Sequence, residues 1–135
     1  MTDNINHPEH YESGPYECIL LTEKCSFNVG NMIKYVWRHR LKNHPVEDLQ
    51  KALWYARRAK EDSEAFGPCR RAFRYTSNMD TGTFEWPGTD FKTLLNIKKN
   101  FCQTPAEKQF YDALMTENSD KAIEALETLI KEAEQ

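Results

Sequence analysis

Asn31, Lys34 and Arg38 recur at offsets of three and seven, and Asp48, Lys51, Tyr55, Arg58 and Asp62 recur at offsets of three, seven, ten and fourteen. On helices each set forms one stripe. Lysine and arginine in such a stripe supply charge-assisted hydrogen bonds to phosphate. Tyrosine stacks or hydrogen-bonds, with Tyr35 flanking the first set, and aspartate accepts from a sugar hydroxyl or holds a metal. The same spacing also describes a solvated face laced with weak ion pairs, and spacing alone leaves both open. Gly30 stands just before Asn31. A glycine there offers free N–H groups to an anion at a helix start, or merely permits a turn or close packing. The segment His7-Pro8-Glu9-His10-Tyr11 reads as an arm that folds over a ligand with His10 and Tyr11, or as a disordered polar terminus. Its two histidines lack further ligands at a characteristic spacing, so no metal site is assigned. Neither GxxxxGK[ST] nor GxGxxG occurs, and the five glycines of the chain cannot build a glycine-rich phosphate cradle.

The charge distribution points the same way. Twelve basic and five acidic residues lie between Lys24 and Arg74, a local net of +7 inside a chain whose total is −3. A basic middle in an acidic chain suits a compact anion such as a phosphate, and nucleic acid fits it poorly. The length of 135 residues suits a single domain spanning 1–135. No apolar run approaches the roughly 18 residues of a membrane span, and MTDNINHPEHYE has no apolar signal region, so a cytoplasmic protein without a membrane partner is expected. Cys18, Cys25, Cys69 and Cys102 are scattered without a CxxC pair, as idle thiols in a reducing compartment would be.

These residues need helices to position them. The expected fold is mainly α, a small helical bundle with a short β-hairpin or lid inserted at 67–90 and helices over 91–135. Pro15 starts a short first helix ending near Lys24. A second runs from about Asn28 to Leu41, with Met32, Ile33, Val36, Trp37 and Leu41 as its core face. Pro45 opens a third, lined by Leu49, Ala52, Leu53, Ala56 and Ala59 and ended by Gly67-Pro68. The short turn between the second and third helices makes them antiparallel neighbours, so their polar stripes can face one another. Beyond the insertion, Phe91, Leu94, Leu95 and Ile97 share a segment capped by Thr89 or Asp90. Thr104-Pro105-Ala106-Glu107 is a capping box with proline at the first helical position. Asn118 or Ser119 caps a last helix whose stripe is Ala122, Ile123, Leu126, Leu129 and Ile130.

The strings HPEHY, YEC, GNMIKYVWRHRLKN and EDLQKALWYARR follow one another in order within residues 7–60. In this they resemble a phage protein family with the layout HPxHY, YE, GNxxKYxxR, DLxKAxxY. That family is commonly described only as a domain of unknown function, and its characterised activity is that of a small nucleotide kinase lacking a P-loop. The resemblance implies a phosphotransferase acting on deoxynucleoside monophosphates. A magnesium ion would arrive with the nucleoside triphosphate donor. Matching the pattern position by position gives His10, Tyr11, Gly30, Asn31, Lys34, Tyr35, Arg38 and Tyr55 toward the nucleotide, with Asp48, Glu17 and Lys51 as the catalytic set, and the helical stripe adds Arg58 to the nucleotide-binding residues. Lys34, Arg38 and Lys51 would meet phosphate oxygens, and Asp48 or Glu17 would orient the acceptor or the magnesium. A homo-oligomer sharing its site between subunits is expected, since two helices seldom enclose a nucleotide. Three rivals stand beside this. One is a non-catalytic binder that sequesters a nucleotide or nucleotide-derived signal. Another is an all-α nucleotide pyrophosphohydrolase, which depends on helix carboxylate blocks that are not evident here. The third is an interaction protein contacting a host partner through Phe73, Tyr75, Phe84 and Trp86.

Overall fold

A computed structural model describes residues 14–41, 43–69 and 91–135. Its elements are α1 (Ile19–Thr22), α2 (Phe27–Arg38), α3 (Pro45–Glu61), α4 (Phe91–Asn100), α5 (Pro105–Met115) and α6 (Ser119–Glu134). All regular structure among the described residues is helical, as the sequence periodicity requires. The expected hairpin or lid and the His7–Tyr11 arm lie outside the described residues, as does the proposed cap at Thr89 or Asp90.

The helix starts follow local chemistry. Pro45 occupies the beginning of α3, with Glu47 and Asp48 in its first turn, where negative charge complements the dipole. Thr104 Oγ1 accepts from the Glu107 N–H at 3.3 Å ahead of Pro105, and Asn118 Oδ1 accepts from the Lys121 N–H at 3.0 Å. At α2 the cap comes from elsewhere in the chain. Ser26 precedes the helix without capping it through its own side chain. Instead its hydroxyl donates to Glu64 Oε1 at 2.6 Å, while Asn28 Nδ2 donates to Glu64 Oε2 at 2.6 Å. A carboxylate is thereby held at the positive end of α2.

Two helix ends differ from expectation. α3 stops at Glu61, well before Gly67-Pro68. Ser63 adopts φ 56°, and the Ser63 and Glu64 N–H groups return to the carbonyls of Lys60 and Ala59 at 3.1 and 2.9 Å. This double return is a Schellman stop built without glycine. The end of α5 repeats it, with Glu117 at φ 51° and the Glu117 and Asn118 N–H groups bonded to Leu114 and Ala113. α2 ends at Arg38, where the His39 N–H closes a tight turn on the Val36 carbonyl, so Leu41 lies exposed beyond it.

The helices form a closed ring. α2 packs on α3, α3 on α6, α6 on α5 and α5 on α4, while α1 touches both α2 and α4. Ala52, Ala56 and Ala59 are fully buried on α3 and let its neighbours approach closely. Met32, Ile33, Val36, Leu49, Leu95, Phe110, Leu114 and Leu126 fill the centre. Tyr16 closes the ring: its hydroxyl donates to the Leu94 carbonyl at 2.6 Å, and its ring meets Trp37 edge-on at 5.3 Å. None of the described helices is long and apolar enough to cross a membrane.

Candidate functional site

Packing α2 against α3 brings the two predicted stripes onto one face. Tyr35 and Tyr55 stack with centroids 5.9 Å apart and planes 12° from parallel. Around Tyr35 stand three cations: Lys34 Nζ at 4.6 Å, Arg38 Cζ at 5.2 Å and Lys51 Nζ at 5.6 Å from the ring centroid. Helical spacing supplies Lys34 and Arg38 from α2 and Lys51 from α3, so the cluster exists only because the helices pair. Arg38 also faces Asp48, with Nε to Oδ2 at 3.5 Å. That distance is an ion pair but too long for a good hydrogen bond, and both atoms are buried without another partner. Asp48 is only 2% exposed, which makes it a holder of Arg38.

The basic middle of the chain is thus sorted by the fold. Arg40 Nε and Nη2 bond Glu107 Oε1 at 2.8 and 2.6 Å. Arg57 pairs with Glu127 at 3.3 Å, Lys60 with Asp120 at 2.5 Å and Arg58 with Asp62 at 3.9 Å. The acidic C-terminal half therefore answers three of those cations, Arg40, Arg57 and Lys60. Among the described residues no carboxylate pairs with Lys34 or Lys51.

Other predicted residues fall differently. Asn31 turns back on its own helix, its Nδ2 donating to the Phe27 carbonyl at 2.9 Å. Gly30 is a packing residue: its N–H is bonded to the Ser26 carbonyl at 2.8 Å, so it offers no free donor to an anion. A Cβ there would stand 3.1 Å from the Thr22 carbonyl oxygen of α1. Glu17 precedes α1, and its backbone carbonyl accepts from the Leu20 N–H at 3.0 Å. Arg58 lies one turn past Tyr55, its guanidinium 6.0 Å from the Trp54 ring centroid. His10 and Tyr11 lie outside the described residues. No three His, Cys, Asp or Glu side chains among the described residues stand together as a metal site. An open groove lined by His39, Arg40, Pro45 and Thr104 contains none of the predicted residues.

Three residues of this region escaped the sequence reading. Glu64 is one, because its partners Ser26 and Asn28 are distant in the chain. Phe27 and Trp54 are the others. Both meet Tyr55 edge-on, with centroids at 6.2 and 5.1 Å, yet remain 75% and 58% exposed. A signal did exist for Trp54, a large aromatic lying off the buried stripe of Leu49, Ala52 and Ala56.

Residues 5–57 match the model of a family described as a protein of unknown function, DUF3310. Over that stretch, which includes α2 and most of α3, the chain is similar to that family. No curated protein and no solved structure matches the chain.

Proposed function

We propose that the α2–α3 face binds the phosphates of a deoxynucleotide and that the chain is a phosphotransferase of the nucleoside monophosphate kinase type. One observation carries this: Lys34, Arg38 and Lys51 converge on a single tyrosine ring, and only Arg38 has a described counter-charge. Like charges that share one ring repel each other, a cost that a bound phosphate removes. Phosphoryl transfer asks chiefly for positioning and charge stabilisation, which such a cluster supplies.

Lys34 and Lys51 hold phosphate oxygens, and Arg38 is aimed by the buried Asp48. Tyr35 and Tyr55 form the wall beside them. Glu17, with His10 of the arm, would address the acceptor. Magnesium would be carried in by the donor's phosphates. The resemblance to the phage-kinase layout and a face on which Lys34 and Lys51 meet no carboxylate among the described residues support one another.

The test is incubation of the protein with ATP and each deoxynucleoside monophosphate, followed by separation of products. A diphosphate should form. Lys34→Ala and Lys51→Ala should each weaken nucleotide binding by about 1.5–3 kcal/mol, the range for a lost charge-assisted hydrogen bond, with little effect on folding. Asp48→Asn should lower turnover more than binding. Nucleotide binding without diphosphate formation would leave the sequestering binder. That second reading has its own support in the burial of Asp48, which withdraws one candidate acid–base group from the ligand.

A further inference from the structure

Phe27 and Trp54 have no part in the core, yet both are held in place. Phe27 begins α2 and Trp54 sits midway along α3, and each stands steeply against the same Tyr55 ring, at 72° and 88°. Tyr55 in turn stacks on Tyr35, around which the three cations gather. The face therefore reads from two exposed aromatic rings, through a tyrosine stack, to a concentrated positive charge. Arg58 adds a further cation beside Trp54.

Leaving rings 75% and 58% exposed keeps apolar area in water that a ligand could cover. A second copy of this chain is a poor cover. Self-association through this face would set Lys34, Arg38, Lys51 and Arg58 against their own counterparts, and like charges across an interface are unfavourable. The complementary occupant carries a flat π-system at one end and negative charge at the other. We infer that Phe27 and Trp54 form the base-stacking half of the site, on which the base of a free nucleotide lies while its phosphates reach Lys34, Arg38 and Lys51. The assignment rests on the phosphate-binding reading above and adds two residues to it. A mononucleotide is favoured over a single strand because the chain is acidic in total and, beyond this face, Arg40, Lys60 and Arg57 are already paired with Glu107, Asp120 and Glu127. An extended polyanion would run past the cluster to cations whose charge is already met by carboxylates.

The experiment is equilibrium binding of a deoxynucleoside triphosphate, of inorganic tripolyphosphate and of a single-stranded oligonucleotide to wild type, Phe27→Ala, Trp54→Ala, Trp54→Phe and Lys34→Ala. Each alanine variant of the aromatic pair should lose roughly 5- to 100-fold in nucleotide affinity, the span for a lost stacking partner, and Trp54→Phe should retain most of it. Tripolyphosphate should bind those variants as it binds wild type, while Lys34→Ala loses both ligands. Both rings are exposed, so circular dichroism of the variants should match wild type. Nucleotide affinity unchanged in Phe27→Ala and Trp54→Ala would overturn the stacking assignment while leaving phosphate binding standing. Failure of wild type to bind either nucleotide or tripolyphosphate would overturn both. Tighter binding of the oligonucleotide than of the nucleotide, lost in the same variants, would overturn the choice of occupant.

Discussion

Asp48 and Arg38 form a charge pair that is cut off from water on the aspartate side and open on the arginine side, with side-chain exposures of 3% and 19%. A buried carboxylate of this kind fixes its partner's direction more than it adds stability. His39, the next residue after Arg38, carries a second consequence of burial. Its Nδ1 lies 2.5 Å from the Val36 carbonyl, and burial holds its pKa below the usual 6.5. Glu107 and Asp48 pull the value up and Arg40 pushes it down, but burial is the largest influence. The folded chain therefore resists a proton that the unfolded chain accepts. Well above pH 6.5 both states leave His39 neutral and its contribution is flat. As pH falls from there toward the lower folded value, the unfolded state gains the proton first and stability drops. Urea unfolding at about pH 7.5 and about pH 5.5 should show this loss, and His39→Asn should flatten it. Equal slopes in the two proteins would remove His39 as the cause.

Helix starts were legible where a short motif sets them and obscure where a distant residue does. Thr104 and Asn118 cap as their sequences announce, and Pro45 opens α3. The stop of α3 was misplaced because Ser63, not glycine, takes the left-handed position, and no composition signal marks a serine for that task. The same limit applies to the site. Periodicity placed Lys34, Tyr35, Arg38, Lys51 and Tyr55 together, since each lies on a regular helix whose partner follows after a short turn. It missed Phe27 and Trp54, whose contacts lie beside the stripe, and at Gly30, where an anion site and close packing were both open, α1 presses on the glycine. Left-handed backbone costs a side-chain-bearing residue roughly 1–2 kcal/mol, partly offset in glycine by its freer unfolded chain. Ser63→Gly should therefore stabilise the protein by about 0.5–1 kcal/mol in chemical denaturation, with nucleotide affinity unaltered. Destabilisation would mean that the Ser63 side chain contributes more than its backbone strain costs.

The closed ring of helices also controls the thiols. Burial raises Cys18 and Cys25 to about 12 and Cys102 to about 11, so almost none of these groups is thiolate in neutral solution. Cys18 and Cys102 are both buried and both lie near Tyr16, whose hydroxyl ties the chain ahead of α1 to α4. Alkylation at about pH 8, followed by mass mapping, should label Cys18 and Cys102 far more slowly in the folded chain than in denaturant. Their labelling should accelerate in Tyr16→Phe, which removes the bond to the Leu94 carbonyl. Rapid labelling of both in folded wild type would show that the ring opens freely at α1.

α3 is sandwiched between α2, made just before it, and α6, which follows it only after α4 and α5. On a ribosome the side of α3 meant for α6 must wait several seconds for its cover at ordinary rates of synthesis. α3 buries mostly alanine, with Ala52, Ala56 and Ala59 beside Leu49. Phe91, Phe110, Tyr111, Leu114 and Leu126, large side chains of the core, all emerge later. The helix that must wait for α6 thus buries mostly alanine, and gives chaperones and aggregation partners less to hold than a leucine-rich helix would.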